Sequence, residues 1–110
     1  MNTTKTYTLS DLVPSAPVHP GEIVKDELEA RGISQRKFAS VIGCSYSVLN
    51  EILNERRPLT EKTAMLFEAA LGVNAEPLLK LQMRYNMQKV RKDSAFMERL
   101  EKVRRIAAVL

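Results

Sequence analysis

Several residue types and segments are scarce or missing in this chain of 110 residues. A single cysteine, Cys44, cannot form an internal disulfide, and no charged segment followed by an apolar one opens the chain, so we do not expect a secreted protein. No apolar run approaches the roughly 20 residues that a membrane span needs. These absences predict a cytoplasmic protein without a membrane partner.

Residues that carry chemistry are equally scarce. His19 is the only histidine, so a histidine-dependent catalytic pair or metal site has no second member, and its place beside Pro20 fits a contact at the start of a helix. The four glycines are isolated and form no phosphate-cradling loop. Cys44 suits a small core position better than a reactive thiolate. We expect no enzyme, no metal and no cofactor.

The positive charge is unevenly distributed. The net charge is +4, but residues 1–79 hold eight Lys/Arg against ten Asp/Glu, and residues 80–110 hold nine against three. A basic segment of this kind fits a nucleic acid, a helical arm or an interface for an acidic partner. The charge alone therefore does not identify the kind of partner. The spacing of apolar and polar residues provides further evidence.

Apolar residues recur at helical spacing between turn residues, which predicts an all-α protein. Residues 1–19, rich in Thr and closed by prolines, predict an irregular arm in which only residues 6–9 alternate like a strand. Residues 20–92 predict a five-helix, phage-repressor-like domain, and residues 93–110 an amphipathic C-terminal helix. The first predicted helix covers about 21–31, and the next four begin behind Ser34, Ser45, Thr60 and Asn74.

The apolar positions of the five domain helices are expected to form its core. They are Ile23, Val24, Leu28 and Ala30; Phe38, Ala39, Val41 and Ile42; Leu49, Ile52 and Leu53; Ala64, Leu66 or Phe67, Ala70 and Leu71; and Leu78, Leu79, Leu81, Tyr85 and Met87.

Residues 35–54 fit a helix-turn-helix position by position. That geometry needs a small residue at the fifth place, where Ala39 lets two helices cross closely, and a glycine at the ninth, where Gly43 can adopt positive φ. Five further places must be apolar. They hold Phe38, Ile42, Cys44, Leu49 and Ile52. Seven matching positions favour this motif over an ordinary helical hairpin.

The outward face of the third helix is the predicted reader of DNA bases. The Asn50 amide can pair with adenine, and Glu51 can accept a hydrogen bond from cytosine or repel phosphate. Residues at the start of the second helix and after the third are placed to hold flanking phosphates. The predicted DNA-binding residues are Gln35, Arg36, Ser45, Tyr46, Ser47, Asn50, Glu51, Asn54, Arg56 and Arg57.

Several short motifs resemble the HigA-type antitoxins, a group of phage-repressor-like (XRE) helix-turn-helix proteins. They are His-Pro-Gly-Glu-Ile at 19–23, Ile-Ser-Gln at 33–35, Leu-Asn-Glu-Ile-Leu-Asn at 49–54, Arg57, Thr60, Leu-Gln at 81–82 and Tyr-Asn at 85–86. The resemblance covers about residues 18–86. The sequence departs from the group at Glu55, where glycine is usual, at Pro58, and at Asn86, where aspartate is usual.

The resemblance implies a dual role: binding and neutralising a small RelE-like, messenger-RNA-cleaving toxin of the HigB kind, and repressing the operon that encodes both proteins. It also implies a homodimer on a palindromic operator, which agrees with the limited surface that one helix-turn-helix buries on DNA. A stand-alone repressor without a toxin partner is the alternative, and a protein-interaction domain that does not bind DNA is a third possibility.

The C-terminal stripe is the candidate surface for a second copy or for the toxin. Its apolar residues fall on one face of a helix, and the five domain helices can already fill one core. The alternative is that this helix folds back and completes the core. The candidate dimer or partner residues are Tyr85, Phe96, Leu100, Val103, Ala107 and Leu110.

Overall fold

The computed structural model describes residues 18–110, and the predicted arm, with its strand-like residues 6–9, lies almost wholly outside them. The described residues form six α-helices and no strand. The all-helical class therefore holds for this part of the chain, and the sixth helix is the C-terminal segment that the sequence set apart from the five predicted helices. The helices are α1 Pro20–Arg31, α2 Gln35–Ile42, α3 Tyr46–Leu53, α4 Glu61–Leu71, α5 Ala75–Arg91 and α6 Ser94–Ala107.

Short polar side chains fix where most helices begin. Ser34, Ser45 and Thr60 each accept a hydrogen bond from the backbone N–H three residues further on, as a capping residue does. Asn74 was expected to do the same for α5, but its side chain makes no capping bond. Glu68 of α4 accepts the Ala75 N–H at 2.9 Å instead, so a residue from the preceding helix satisfies this donor.

The core lies between α1, α2, α3, α4 and the first half of α5. Phe67 of α4 is fully buried at its centre, and its ring lies 5.6 Å from that of Phe38 of α2. Because α2 and α3 have only eight residues each, they would not be stable alone and depend on this packing. The buried apolar residues are Val24, Leu28, Phe38, Ala39, Ile42, Leu49, Ile52, Leu53, Leu59, Ala64, Phe67, Leu71, Ala75 and Leu78.

The sequence assigned too wide an apolar stripe to most helices. Each described helix has neighbours on only part of its circumference, so apolar residues at the edge of the stripe remain in solvent. Phe67, not Leu66, occupies the central position of α4. The expected core residues that are exposed are Ile23, Ala30, Val41, Leu66, Ala70 and Met87, while Leu79, Leu81 and Tyr85 are half-buried.

Two glycines determine how α3 lies against the helices that precede it. Gly43 ends α2 with φ of 74°, which confirms the left-handed turn expected inside the helix-turn-helix. Gly21 is buried in α1, and a Cβ at this position would overlap the carbonyl oxygen of Ile52 in α3. The two helices therefore meet backbone to backbone, and any larger residue at position 21 would push the third helix away.

The C-terminal helix differs from the rest because none of its residues is buried. Asp93 caps it by accepting the Phe96 N–H at 3.1 Å, which agrees with the expected break near this residue. The described residues extend over 57 × 36 × 20 Å. Among the described residues, no helix is long and apolar enough to cross a membrane.

Candidate nucleic-acid interface

The helix α3 presents a polar face because its apolar face is fixed in the core. Leu49, Ile52 and Leu53 are buried, which leaves the remaining positions of this short helix at or near the surface. Tyr46 and Ser47 are exposed, while Asn50, Glu51 and Asn54 are partly buried. The structure thus brings the five predicted base-reading residues onto one accessible surface.

Asn50 is held between the two segments that flank α3 in space. Its Nδ2 donates to Oε1 of Gln35 at 3.0 Å, and its Oδ1 accepts from the guanidinium of Arg56 at 3.3 Å. These bonds fix which way the amide points, since its donor faces α2 and its acceptor faces the turn after α3. A side chain oriented in this way loses less conformational freedom when it meets a base edge.

Two further contacts pair four of the other predicted residues. The guanidinium of Arg57 donates to Oε1 of Glu51 at 2.7 Å in a solvent-exposed ion pair. The guanidinium of Arg36 stacks 4.2 Å from the centre of the Tyr46 ring, an arrangement that combines a cation with the negative face of an aromatic ring. Nine of the ten predicted DNA-binding residues therefore lie within α2, α3 or the turn that follows, and the tenth, Ser45, caps α3 through its oxygen at 3.1 Å from the Val48 N–H.

One partner in this surface was not expected from the sequence. Lys25 of α1 donates to Oδ1 of Asn54 at 3.2 Å, while Nδ2 of Asn54 donates to the backbone oxygen of Asn50. Asn54 therefore links the end of α3 to α1. Lys25 is 29 residues away in sequence, and nothing in the spacing of either residue signals the contact.

The turn after α3 is supported from the opposite side by α5. The Leu59 N–H donates to Oε1 of Gln82 at 2.8 Å, and Gln82 is 5% exposed. Glu55 begins the turn with φ of 64°, the left-handed region that favours glycine. A buried amide from a distant helix therefore positions the turn that carries both arginines, and the sequence identified Gln82 only through the family resemblance.

His19 confirms its expected role at the start of a helix. It is buried, its Nδ1 accepts the Gly21 N–H at 2.9 Å, and its ring packs edge-on against Tyr85 at 4.8 Å. Burial lowers the pKa of His19 below its ordinary value, and the nearby Glu55 carboxylate opposes this shift. The neutral imidazole is the form that can accept the capping bond.

The candidate partner residues lie on α5, on α6 and at the C-terminal end of the chain. Tyr85 packs on His19 inside the domain, so its ring is only partly available to a partner. Leu100 is half-buried, and Phe96, Val103 and Ala107 are exposed on α6. Leu110 lies beyond the end of α6 at Ala107 and is fully exposed.

Metal-binding side chains and the single cysteine were the other candidates for chemistry in residues 18–110. No three His, Cys, Asp or Glu side chains in this range come together in a way that would hold a metal ion. Cys44 is half-buried against the core, and burial raises the pKa of its thiol, which keeps the thiol protonated. The polar surface around α3 is the strongest candidate for a functional site.

Known proteins resemble this chain in sequence and in fold. The helix-turn-helix family HTH_3 matches residues 24–78. Virulence-associated protein I of Dichelobacter nodosus is 34% identical over 77 residues, which are 69% of this chain and 71% of that protein.

Two solved structures give the same result at the level of the fold. An addiction module antidote protein of the HigA family from Coxiella burnetii is 31% identical with a TM-score of 0.69, over 79% of this chain and 94% of that one. The Pseudomonas aeruginosa antitoxin HigA, solved with the higBA promoter, is 28% identical with a TM-score of 0.69, over 78% of this chain and 92% of that one.

Proposed function

Because this chain belongs to the XRE-type helix-turn-helix family HTH_3 and is a HigA-type antitoxin, we propose that it represses its own operon as a dimer and neutralises a RelE-like, messenger-RNA-cleaving toxin of the HigB kind. The observation that carries the DNA-binding part is Asn50, held on the outward face of α3 between Gln35 and Arg56. We infer a cytoplasmic site of action, because operator DNA would be bound there, and no step of this proposed function requires catalysis or a cofactor.

In this proposal the side chains of α3 enter the major groove, where each base pair presents a distinct pattern of donors and acceptors. Asn50 reads an adenine through its amide, with Tyr46, Ser47 and Asn54 beside it. Glu51 accepts from a cytosine amino group or keeps phosphates away from the reading face. The exposed faces of these residues support the assignment.

The flanking residues hold the DNA backbone. Arg56 and Arg57 lie in the turn just after α3, and Gln35 and Arg36 begin α2. The Ser45 hydroxyl can still donate to a phosphate while its oxygen caps α3. Contacts of this kind fix the register of the protein on the duplex without reading its sequence.

Dimerisation is assigned to the C-terminal region. The exposed apolar residues of α6 form a stripe that would be costly to leave in water, and α5 also exposes Met83, Met87 and Val90. We propose that Phe96, Leu100, Val103, Ala107 and Leu110, with the exposed edge of Tyr85, contact a second copy or the toxin. Two heads spaced by one helical turn would then contact a palindromic operator.

The central test compares Asn50→Ala with Arg57→Ala on operator DNA from upstream of the coding sequence and on a random duplex. Asn50→Ala should weaken operator binding by about 1–3 kcal/mol and leave random-duplex binding nearly unchanged, because a base contact is lost. Arg57→Ala should weaken both and flatten the salt dependence. Asn74→Ala and Arg84→Ala, at exposed positions away from α3, are matched controls. Equal losses on both duplexes for Asn50→Ala would remove it from the reading residues.

The toxin partner is tested by purifying the chain together with the product of a neighbouring coding sequence. Co-elution, and rescue of growth when the chain is expressed with that protein, are expected for an antitoxin. Operator binding without any such partner would favour the stand-alone repressor. Deleting residues 94–110 should lower the mass in light scattering or abolish rescue; an unchanged dimer that still neutralises would remove α6 from both roles.

A further inference from the structure

Two depressions of opposite charge flank the end of α3. On the α1 side, a groove is lined by four carboxylates and one lysine: Glu22, Asp26, Glu29, Glu55 and Lys25. On the α5 side, a cleft of about 210 Å³ is lined by three cationic side chains and one carboxylate. The charged residues of this cleft are Arg56, Arg57, Lys89 and Glu55.

The cationic cleft is formed by the fold from distant parts of the chain. Arg56 and Arg57 come from the turn after α3, while Lys89 comes from the last turn of α5. The ammonium of Lys89 lies 5.6 Å from the centre of the Tyr85 ring, which itself packs on buried His19. Part of the basic segment 80–110 therefore lies directly beside the turn that carries Arg56 and Arg57.

The floor of the cleft is polar and supported. Gln82, nearly fully buried, accepts the Leu59 N–H and donates through Nε2 to Oδ1 of Asn86 at 2.9 Å. The Asn86 amide nitrogen donates no hydrogen bond to the other described residues. Asn86 also brings no negative charge to this cleft, so a neutral amide and three cationic side chains line the same space.

We propose that this cleft binds a phosphate of the DNA backbone, with Lys89 and Asn86 of α5 adding a contact outside the helix-turn-helix. The inference rests on the proposed function, because it extends the same DNA interface. Three cationic side chains and an amide that line one cleft suit a singly charged phosphodiester, whose oxygens accept several hydrogen bonds. The contact holds the duplex against the turn without reading bases.

The opposite charges of the two depressions give the contact a direction. The acidic groove repels phosphates on the α1 side of α3, and the cleft attracts them on the α5 side. The backbone strand that leaves the major groove is thereby guided over α5. Glu55 lines both depressions, so its carboxylate weakens the attraction of the cleft and strengthens the repulsion of the groove.

The test is a salt titration of binding to a random duplex, which needs no knowledge of the operator because a phosphate contact is independent of sequence. Lys89→Gln should weaken binding and reduce the slope of log K against log salt by about 0.9 for each lost phosphate contact. Lys80→Gln is the matched control: it removes a lysine from the same helix, next to a different depression, and should leave the slope unchanged.

A second variant tests the amide. Asn86→Asp keeps an oxygen that can accept from Gln82 but places a carboxylate in the cleft, so it should weaken binding to every duplex, whereas Asn74→Asp should not. Thermal melts matching those of the unmodified chain confirm folding. Unchanged affinity and slope for both Lys89→Gln and Asn86→Asp, with Arg57→Ala still weakening binding, would overturn this contact and leave the proposed function intact. Loss of operator preference in the unmodified chain would instead contradict the proposed function.

Discussion

The helices α3 and α6 have similar patterns and opposite surroundings. Each begins behind a polar capping residue and carries an apolar stripe. In α3, three of eight residues are buried in the core, whereas in α6 none of fourteen is buried. An amphipathic pattern therefore specifies that a face needs covering, but not whether the chain itself or another molecule covers it.

The two helices also differ in how firmly their positions are fixed. The shape and position of α3 are fixed by the core and by caps at both ends of the turn before it, so its outward side chains are presented on a rigid surface. The position of α6 is fixed mainly by its junction with α5. A base-reading surface requires the first arrangement, while an interface formed on assembly can use the second.

The largest expected effect contrasts a buried leucine with an exposed isoleucine. Leu49→Ala removes a side chain with 0% exposure and should lower the free energy of unfolding by about 2–5 kcal/mol. Ile106→Ala, at 69% exposure, should change it by less than about 0.5 kcal/mol in dilute protein. Urea denaturation measures both. A loss for Ile106→Ala as large as that for Leu49→Ala would show that α6 packs on its own domain.

Much of this contrast could be predicted from the sequence, because local signals specify the helices. Ser34, Ser45, Thr60 and Gly43 occur where the backbone needs a cap or a positive φ, and the helix bounds follow from them. The width of each buried stripe could not be predicted, because it depends on which neighbours each helix meets. Val41 fits the helical spacing of α2 but lies in solvent.

A smaller effect is expected at the turn after α3. Glu55→Gly relieves the left-handed backbone at φ of 64°, which costs a residue with a side chain about 1–2 kcal/mol. The greater entropy of glycine in the unfolded chain offsets part of this gain, so the free energy of unfolding should rise by only about 0.5–1 kcal/mol. Glu98→Gly is the control within α6: it should lower helical content measured by circular dichroism without moving the main unfolding midpoint. A lower free energy of unfolding for Glu55→Gly would mean that a contact of the Glu55 carboxylate stabilises the fold by more than the left-handed backbone destabilises it.

The smallest expected effect is a pH dependence of stability that arises from His19, which is buried in the domain that contains α3. The pKa of His19 is lowered by burial, so below about pH 6.5 the unfolded chain binds the proton more readily than the folded one. The free energy of unfolding should therefore decrease as pH falls through 6.5, by no more than the uptake of one additional proton by the unfolded chain can cause. The urea midpoint between pH 5.5 and 7.5 measures this, and His19→Asn, which keeps a capping acceptor, should flatten it. A midpoint independent of pH in the unmodified chain would contradict it.

The candidate site was less predictable than the fold. The outward residues of α3 follow from the burial of Leu49 and Ile52, because one face of a helix determines the other. The residues that hold these side chains and the following turn in place could not be derived from the sequence. Lys25 and Gln82 reach the interface from helices before and after the motif, and such contacts depend on tertiary packing that no local spacing encodes.

Because Gly21 approaches the backbone of Ile52, the orientation of α3 depends on residues other than those on its outward face. The angle between α1 and α3 depends on the absence of a Cβ between two backbones, whereas the proposed base contacts belong to side chains on the outward face of α3. Under the proposed function, replacing residues 46, 47 and 50 is therefore expected to change the preferred operator while leaving the angle between α1 and α3 unchanged. New operator preferences can arise, in evolution or by design, at a few outward positions of one short helix.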